Sequence, residues 1–301
     1  MAKSIALLCR MVKGAPCSPA VLRGAVVYSL VVGIYYGGHR HSVYYPASVL
    51  VWYVVFVLAV RWLQRDERCN ELVLGYPRWS YLVSLGCGGG LLTLMLVSFC
   101  SGDGTGAPGG WAVDRGGSDS GAGGTTLGGG AVDAFLHAPS PGAAAPLARA
   151  LHMQPAALLF AALLKDYAVY ERGLESVFLL HHLVSITGVI LCLHLPRGAG
   201  IGVLNMVVAE LGSQVYNNMV LRRGLGASRL LYYVGMSASN LLVVWTTYRM
   251  CLLQPLGLGY KVSYVAMCAF LVLVRFVGKF LVDEQFAAEA TEAGTGGKKS
   301  Q

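Results

Sequence analysis

The chain has 301 residues, 55% of them hydrophobic and 13% charged, with a mean hydropathy of +0.57. Soluble domains carry about 25% charged residues, so this balance excludes an ordinary water-soluble domain and points to lipid as the solvent. The net charge of +8 does not indicate a nucleic-acid partner, because Lys and Arg are scattered between apolar runs rather than gathered on one face.

The apolar runs are about 18 to 24 residues long, which suits a hydrocarbon core of roughly 30 Å. In chain order the expected membrane helices are Ala20–Tyr36, Tyr45–Leu63, Tyr81–Cys100, Leu147–Leu164, Leu174–Leu195, Ile201–Leu221, Leu230–Leu252 and Val262–Val282. The first is short and contains Arg23 and Gly33. Pro155 interrupts the fourth, where neighbouring helices can satisfy the freed carbonyl. The fold class expected is therefore an all-α, polytopic transmembrane bundle of about eight spans.

Charge placement tests that count independently. With a cytosolic N-terminus, 16 of the 23 Lys and Arg fall on the cytosolic side, five fall outside, and Arg249 and Arg275 lie within spans. That bias is what positive-inside insertion requires, and it places both ends in the cytosol. Residues 1–75 are expected to hold a cytosolic N-terminus and two extra spans, 78–286 the main membrane domain, and 287–301 a cytosolic tail. Between them, 14 of the 50 residues in 101–150 are Gly, without hydrophobic periodicity, which reads as a flexible luminal loop. The eight cysteines form no CxxC pair and no zinc-ligand spacing, so no metal site is expected.

Ionisable groups inside spans are costly and mark either function or a buried pair. The fifth span carries His181 and His182, with Ser185 one turn further on. Adjacent helical residues are about 100° apart, so the two rings cannot face one point equally. The sixth span carries Glu210, Ser213, Gln214 and Asn217, whose spacing forms one helical stripe. Tyr233, Ser237 and Asn240 recur in the seventh span, and Arg275 in the eighth is the natural counter-charge for Glu210. Interhelical hydrogen bonding alone is the competing explanation for such groups.

The run Lys165-Asp166-Tyr167, the pair in His181-His182-Leu183-Val184-Ser185, and the stripe Glu210-Leu211-Gly212-Ser213 with Asn217 resemble the TLC domain family. That family includes ceramide synthases, translocation-associated membrane proteins and lipid-regulating proteins. The likeness covers roughly Arg78 to Phe286. It implies a TLC-type core of six helices with a lipid-accessible cavity, usually in the endoplasmic reticulum. In the ceramide synthases a histidine is implicated in handling the acyl group. The resemblance would thus make His181 or His182 a base or nucleophile. Glu210 would orient it, and Asn217 could donate to a developing oxyanion. The synthases follow their His-His with an HD pair and a lysine. Here the region reads Ala209-Glu210-Leu211-Gly212-Ser213-Gln214-Val215-Tyr216-Asn217-Asn218, closer to the non-synthase branch linked to phospholipid composition.

The expectation is a lipid-homeostasis protein of the endoplasmic reticulum membrane, binding membrane lipids through Asp166, Ser185, Glu210, Ser213, Gln214, Asn217, Asn240 and Arg275, without a cofactor. The alternative is a ceramide-synthase-like N-acyltransferase with acyl-coenzyme A as co-substrate, entering through a basic mouth of Lys165, Arg222, Arg223 and Lys279. A transporter ranks third, since no inverted repeat is evident. Lys298 and Lys299 resemble a dilysine retrieval signal read by coat proteins, and a homo-oligomer stays open.

Overall fold

The computed structural model describes residues 18–36, 38, 43–73, 76–100, 136, 146–169, 176–195, 199–222, 226–252 and 256–276. Most of the expected glycine-rich loop, the tail with Lys298 and Lys299, and the basic residues Arg223 and Lys279 lie outside them.

Helix α1 (Pro19–Ser29) starts where its sequence says it should. Pro19 needs no amide hydrogen at the first helical position, and the Ser18 hydroxyl accepts from the Val21 amide at 3.3 Å. The helix continues as a π-helical stretch, Leu30–Tyr36, in which Gly33 is buried. Its missing side chain admits the Phe160 ring, which would collide with any β-carbon there. Helix α2 (Tyr44–Leu63) leads into the short helix α3 (Glu67–Asn70), capped by Asp66. Strands β1 (Leu72–Val73) and β2 (Tyr76–Pro77) then pair antiparallel, Leu72 opposite Pro77.

The remaining helices are α4 (Arg78–Cys100), α5 (Pro146–Val169), α6 (Ser176–Leu193), α7 (Ala199–Leu221), α8 (Gly226–Leu252) and α9 (Leu258–Phe276). Among the described residues four helices are long and apolar enough to cross a membrane: α1 with its π extension, α2, α4 and α9. Glu210, Gln214 and the asparagines of α7 lower that helix's hydropathy, so the stripe that draws attention to it also hides it from an apolar count. Pro155 lies inside α5, which runs through it as one helix, in keeping with the single span expected over Leu147–Leu164.

That continuity follows from where α5 lies. It packs against α2, α4, α6 and α7, and Ala156, Ala157, Leu158, Phe160 and Ala161 are essentially fully buried. Small alanines let neighbouring backbones approach closely, which compensates a helix for one lost hydrogen bond. Helix α7 is the second hub, packed against α4, α6 and α8. The outer faces are apolar instead: Val54 and Leu58 of α2, Leu241 and Val244 of α8, and Leu273 of α9 are exposed. A bundle with its polar groups inside and its apolar groups outside suits a lipid solvent.

Candidate functional site

Two adjacent imidazoles on α6 take different roles, as the 100° step requires. His182 is 4% exposed, and its Nε2 lies 2.8 Å from Asp166 Oδ2 at the end of α5. The other oxygen of that carboxylate pairs with Lys165. Tyr167 tilts its ring 5.7 Å from the His182 ring, and its hydroxyl reaches the Ser29 hydroxyl of α1 at 3.3 Å. The result is a compact charged network linking α5, α6 and, through Tyr167, α1. It uses up Lys165, which is 5% exposed. The expected basic mouth therefore loses that residue: Lys165 is sealed inside against its neighbour's carboxylate. Arg222 is exposed.

His181 is the ring that faces a cavity. A cavity of about 100 Å³ lies between α5, α6, α7 and α9, lined by His181, Ser185, Glu210, Ser213, Asn205 and Tyr264 among apolar side chains such as Leu159, Val189 and Met206. From His181 to Cys192, both on its wall, the rise along α6 is about 16 Å at 1.5 Å per residue. The space is therefore a narrow slot running lengthwise through the bundle. Tyr264 is 2% exposed, and among the described residues its buried hydroxyl meets no oxygen or nitrogen partner. It faces the thiol of Cys192, a weak acceptor.

The α7 stripe divides between two neighbours. Glu210 and Ser213 line the slot. Gln214 donates to Glu210 Oε1 at 2.5 Å and to the Ser84 carbonyl of α4 at 3.0 Å. Asn217 donates to the Ser84 hydroxyl at 2.8 Å. Asn217 thus ties α7 to α4 and is not among the residues lining the slot. Ser84 escaped the sequence reading because a lone serine in a glycine-rich apolar span carries no periodic signal, and Ser29 is a lone serine in an apolar span too; Tyr167 stood in the run Lys165-Asp166-Tyr167 without a role of its own.

Arg275 corrects another expectation. It does not ion-pair with Glu210; among the described residues the ion pairs are Lys165–Asp166 and His182–Asp166. Its guanidinium donates to the Ala209 carbonyl, to Ser239 Oγ at 3.0 Å and to Asn240 Oδ1 at 3.1 Å. It can do so because residue 212 is glycine: a β-carbon there would sit 2.7 Å from Arg275 Cζ. A carbonyl, a hydroxyl and an amide oxygen disperse the cation over three acceptors, while Glu210 still lies within its field. Asn240 is therefore a partner of Arg275, whereas Ser237 is exposed.

His181 sits in the fields of His182, Arg275 and Asp166. Its ring lies 5.9 Å from that of the Asp166-bound His182, and it shares the slot lining with Glu210. Among the described residues no three His, Cys, Asp or Glu side chains are placed to hold a metal ion. No family model, curated protein or solved structure matches the chain.

Proposed function

We propose that this chain is a multi-pass, TLC-like membrane protein of lipid homeostasis that holds part of a membrane lipid in the slot between α5, α6, α7 and α9. The observation that carries this reading is the lining itself. His181, Ser185, Glu210, Ser213 and Tyr264 share one cavity whose remaining walls are apolar. The buried Tyr264 hydroxyl, set against the weakly accepting Cys192 thiol, favours an occupant with an oxygen acceptor. At about 100 Å³ the slot is smaller than the roughly 300–1,000 Å³ of drug-sized ligand pockets. Its length and narrowness suit an extended acyl segment with a polar end, rather than a whole lipid.

On this proposal all eight long helices cross the bilayer, and the membrane is that of the endoplasmic reticulum, as the TLC resemblance of the Lys165–Asn217 region implies. The test is mass spectrometry of the purified protein. A lipid class enriched over the surrounding extract, and lost in His181→Ala and Glu210→Leu, is the expected result.

A second reading, N-acyl transfer from acyl-coenzyme A, draws support from the 2.8 Å contact between His182 and Asp166. An imidazole oriented by a carboxylate is the arrangement a general base needs. Here, however, the carboxylate-bound ring is His182, and the cavity-lining ring is His181. Base and substrate space are therefore on different imidazoles, which ranks binding above catalysis. Incubation with sphinganine and acyl-coenzyme A separates the two: ceramide production, abolished by His182→Ala, would reverse that ranking.

A further inference from the structure

A larger concavity lies at the end of α2. About 560 Å³ in volume, it is lined by Trp62, Leu63, Arg65, Asp66, Glu67 and Arg68, with Cys69 at its base. Helix α2 is one of the four helices long and apolar enough to cross a membrane, and it ends at Leu63. The concavity therefore begins where the hydrocarbon would stop, at headgroup level. Trp62 is 68% exposed at that boundary, the place where indole rings gather on membrane proteins.

The segment is held in shape by its own backbone. Asp66 accepts from the Arg68 amide at 3.0 Å, and the Asn70 side chain donates to the Gln64 carbonyl at 2.8 Å. The Arg78 amide closes the turn on the Glu71 carbonyl at 2.9 Å. Cys69 is buried beneath it. Upon this ordered base stand two cations and two anions. None of the four joins an ion pair, the described pairs being Lys165–Asp166 and His182–Asp166. Four charges of mixed sign stand side by side, with Asp66 also capping the Arg68 amide, and leave the concavity close to neutral. A simple anion site would carry an excess of basic groups; this one offers complementary charges to a ligand bearing both signs.

We propose that this concavity seats the phosphate–ammonium headgroup of a zwitterionic phospholipid. Arg65 and Arg68 meet the phosphate, Glu67 meets the ammonium, and Trp62 lies along the glycerol and upper acyl region. The assignment rests on α2 crossing the bilayer and is independent of the His181 slot.

The experiment reconstitutes the full chain in nanodiscs of phosphatidylethanolamine mixed with phosphatidylglycerol, then counts retained lipids by native mass spectrometry after detergent release. Wild type is expected to retain phosphatidylethanolamine preferentially. The Arg65→Gln/Arg68→Gln variant should lose that retention by about tenfold per arginine, as charge-assisted hydrogen bonds predict. Glu67→Gln should keep binding but lose the preference over phosphatidylglycerol. All three side chains are exposed, so folding is checked by an unchanged melting temperature and an unchanged far-ultraviolet circular dichroism spectrum. Glycerophosphoethanolamine serves as a competitor; displacement by this soluble headgroup at concentrations equal to the lipid would show a free phosphoester site and overturn the membrane assignment. Equal retention of both lipids by wild type and variants would overturn the site altogether.

Discussion

His182 and Asp166 are joined across α5 and α6 by a 2.8 Å contact, and the same carboxylate neutralises Lys165. One acidic group thereby supports two buried cationic or proton-binding partners. The neighbouring His181 is left facing the cavity.

Removing Asp166 should therefore destabilise more than removing either partner. In Asp166→Ala, Lys165 stays buried without its counter-charge, a situation that costs about 3–5 kcal/mol. Asp166→Asn keeps a hydrogen-bond acceptor and should recover only part of it. Thermal unfolding in detergent checks the order: Asp166→Ala below Asp166→Asn, with Lys165→Met/Asp166→Leu closer to wild type than Asp166→Ala.

Gly212 and Arg275 make a sharper case, because the prediction depends on one missing methyl. With a β-carbon 2.7 Å from Cζ, Gly212→Ala must push the guanidinium off the Ala209 carbonyl. Overpacking of this kind costs about 1–3 kcal/mol. Arg275→Met removes the obstructing group. The double variant should then show a strongly non-additive melting temperature, with Gly212→Ala nearly neutral in the Arg275→Met background.

A similar cycle applies to Gly33 and Phe160, where the π-helical stretch of α1 rests on the α5 ring. Gly33→Ala should detach α1, raising hydrogen exchange over residues 19–36 while leaving α7 and α8 protected. Phe160→Leu should relieve the clash in the paired variant. Equal exchange in Gly33→Ala and wild type would contradict the packing.

Ser84 tests the link between α4 and α7. Its hydroxyl is the acceptor for Asn217, so Ser84→Ala leaves a buried amide unmatched and should cost about 1–3 kcal/mol. Because Asn217 makes this contact rather than lining the slot, Asn217→Ala should lower stability without altering lipid content, as measured on the same preparations.

The helices were legible in the sequence because long apolar runs have few alternatives: each expected span coincides with one of the eight long helices, or with most of one. The polar positions were legible too, since Glu210 or His181 among leucines and valines is conspicuous. Their pairings were not. Charge alone matched Glu210 with Arg275, whereas the missing β-carbon of Gly212 and the carbonyl of Ala209 decided where the guanidinium went. Lys165 looked like an open basic group, since nothing in the order of residues shows that Asp166 folds back on it. Partners on other helices depend on rotation and depth, which a run of letters specifies only through periodicity; single residues such as Ser84 and Ser29 have none.

The slot is tested most directly by filling it. Gly188 lines it, and a β-carbon there would make ordinary contacts with Met267 Cε at 3.8 Å and Sδ at 4.0 Å, so a side chain starts there without a clash and Gly188→Leu should extend into the slot. Lipid mass spectrometry on Gly188→Leu, at an unchanged melting temperature, should find the enriched lipid gone. Full retention of that lipid in a folded Gly188→Leu protein would contradict the proposal that this space is where the lipid is held.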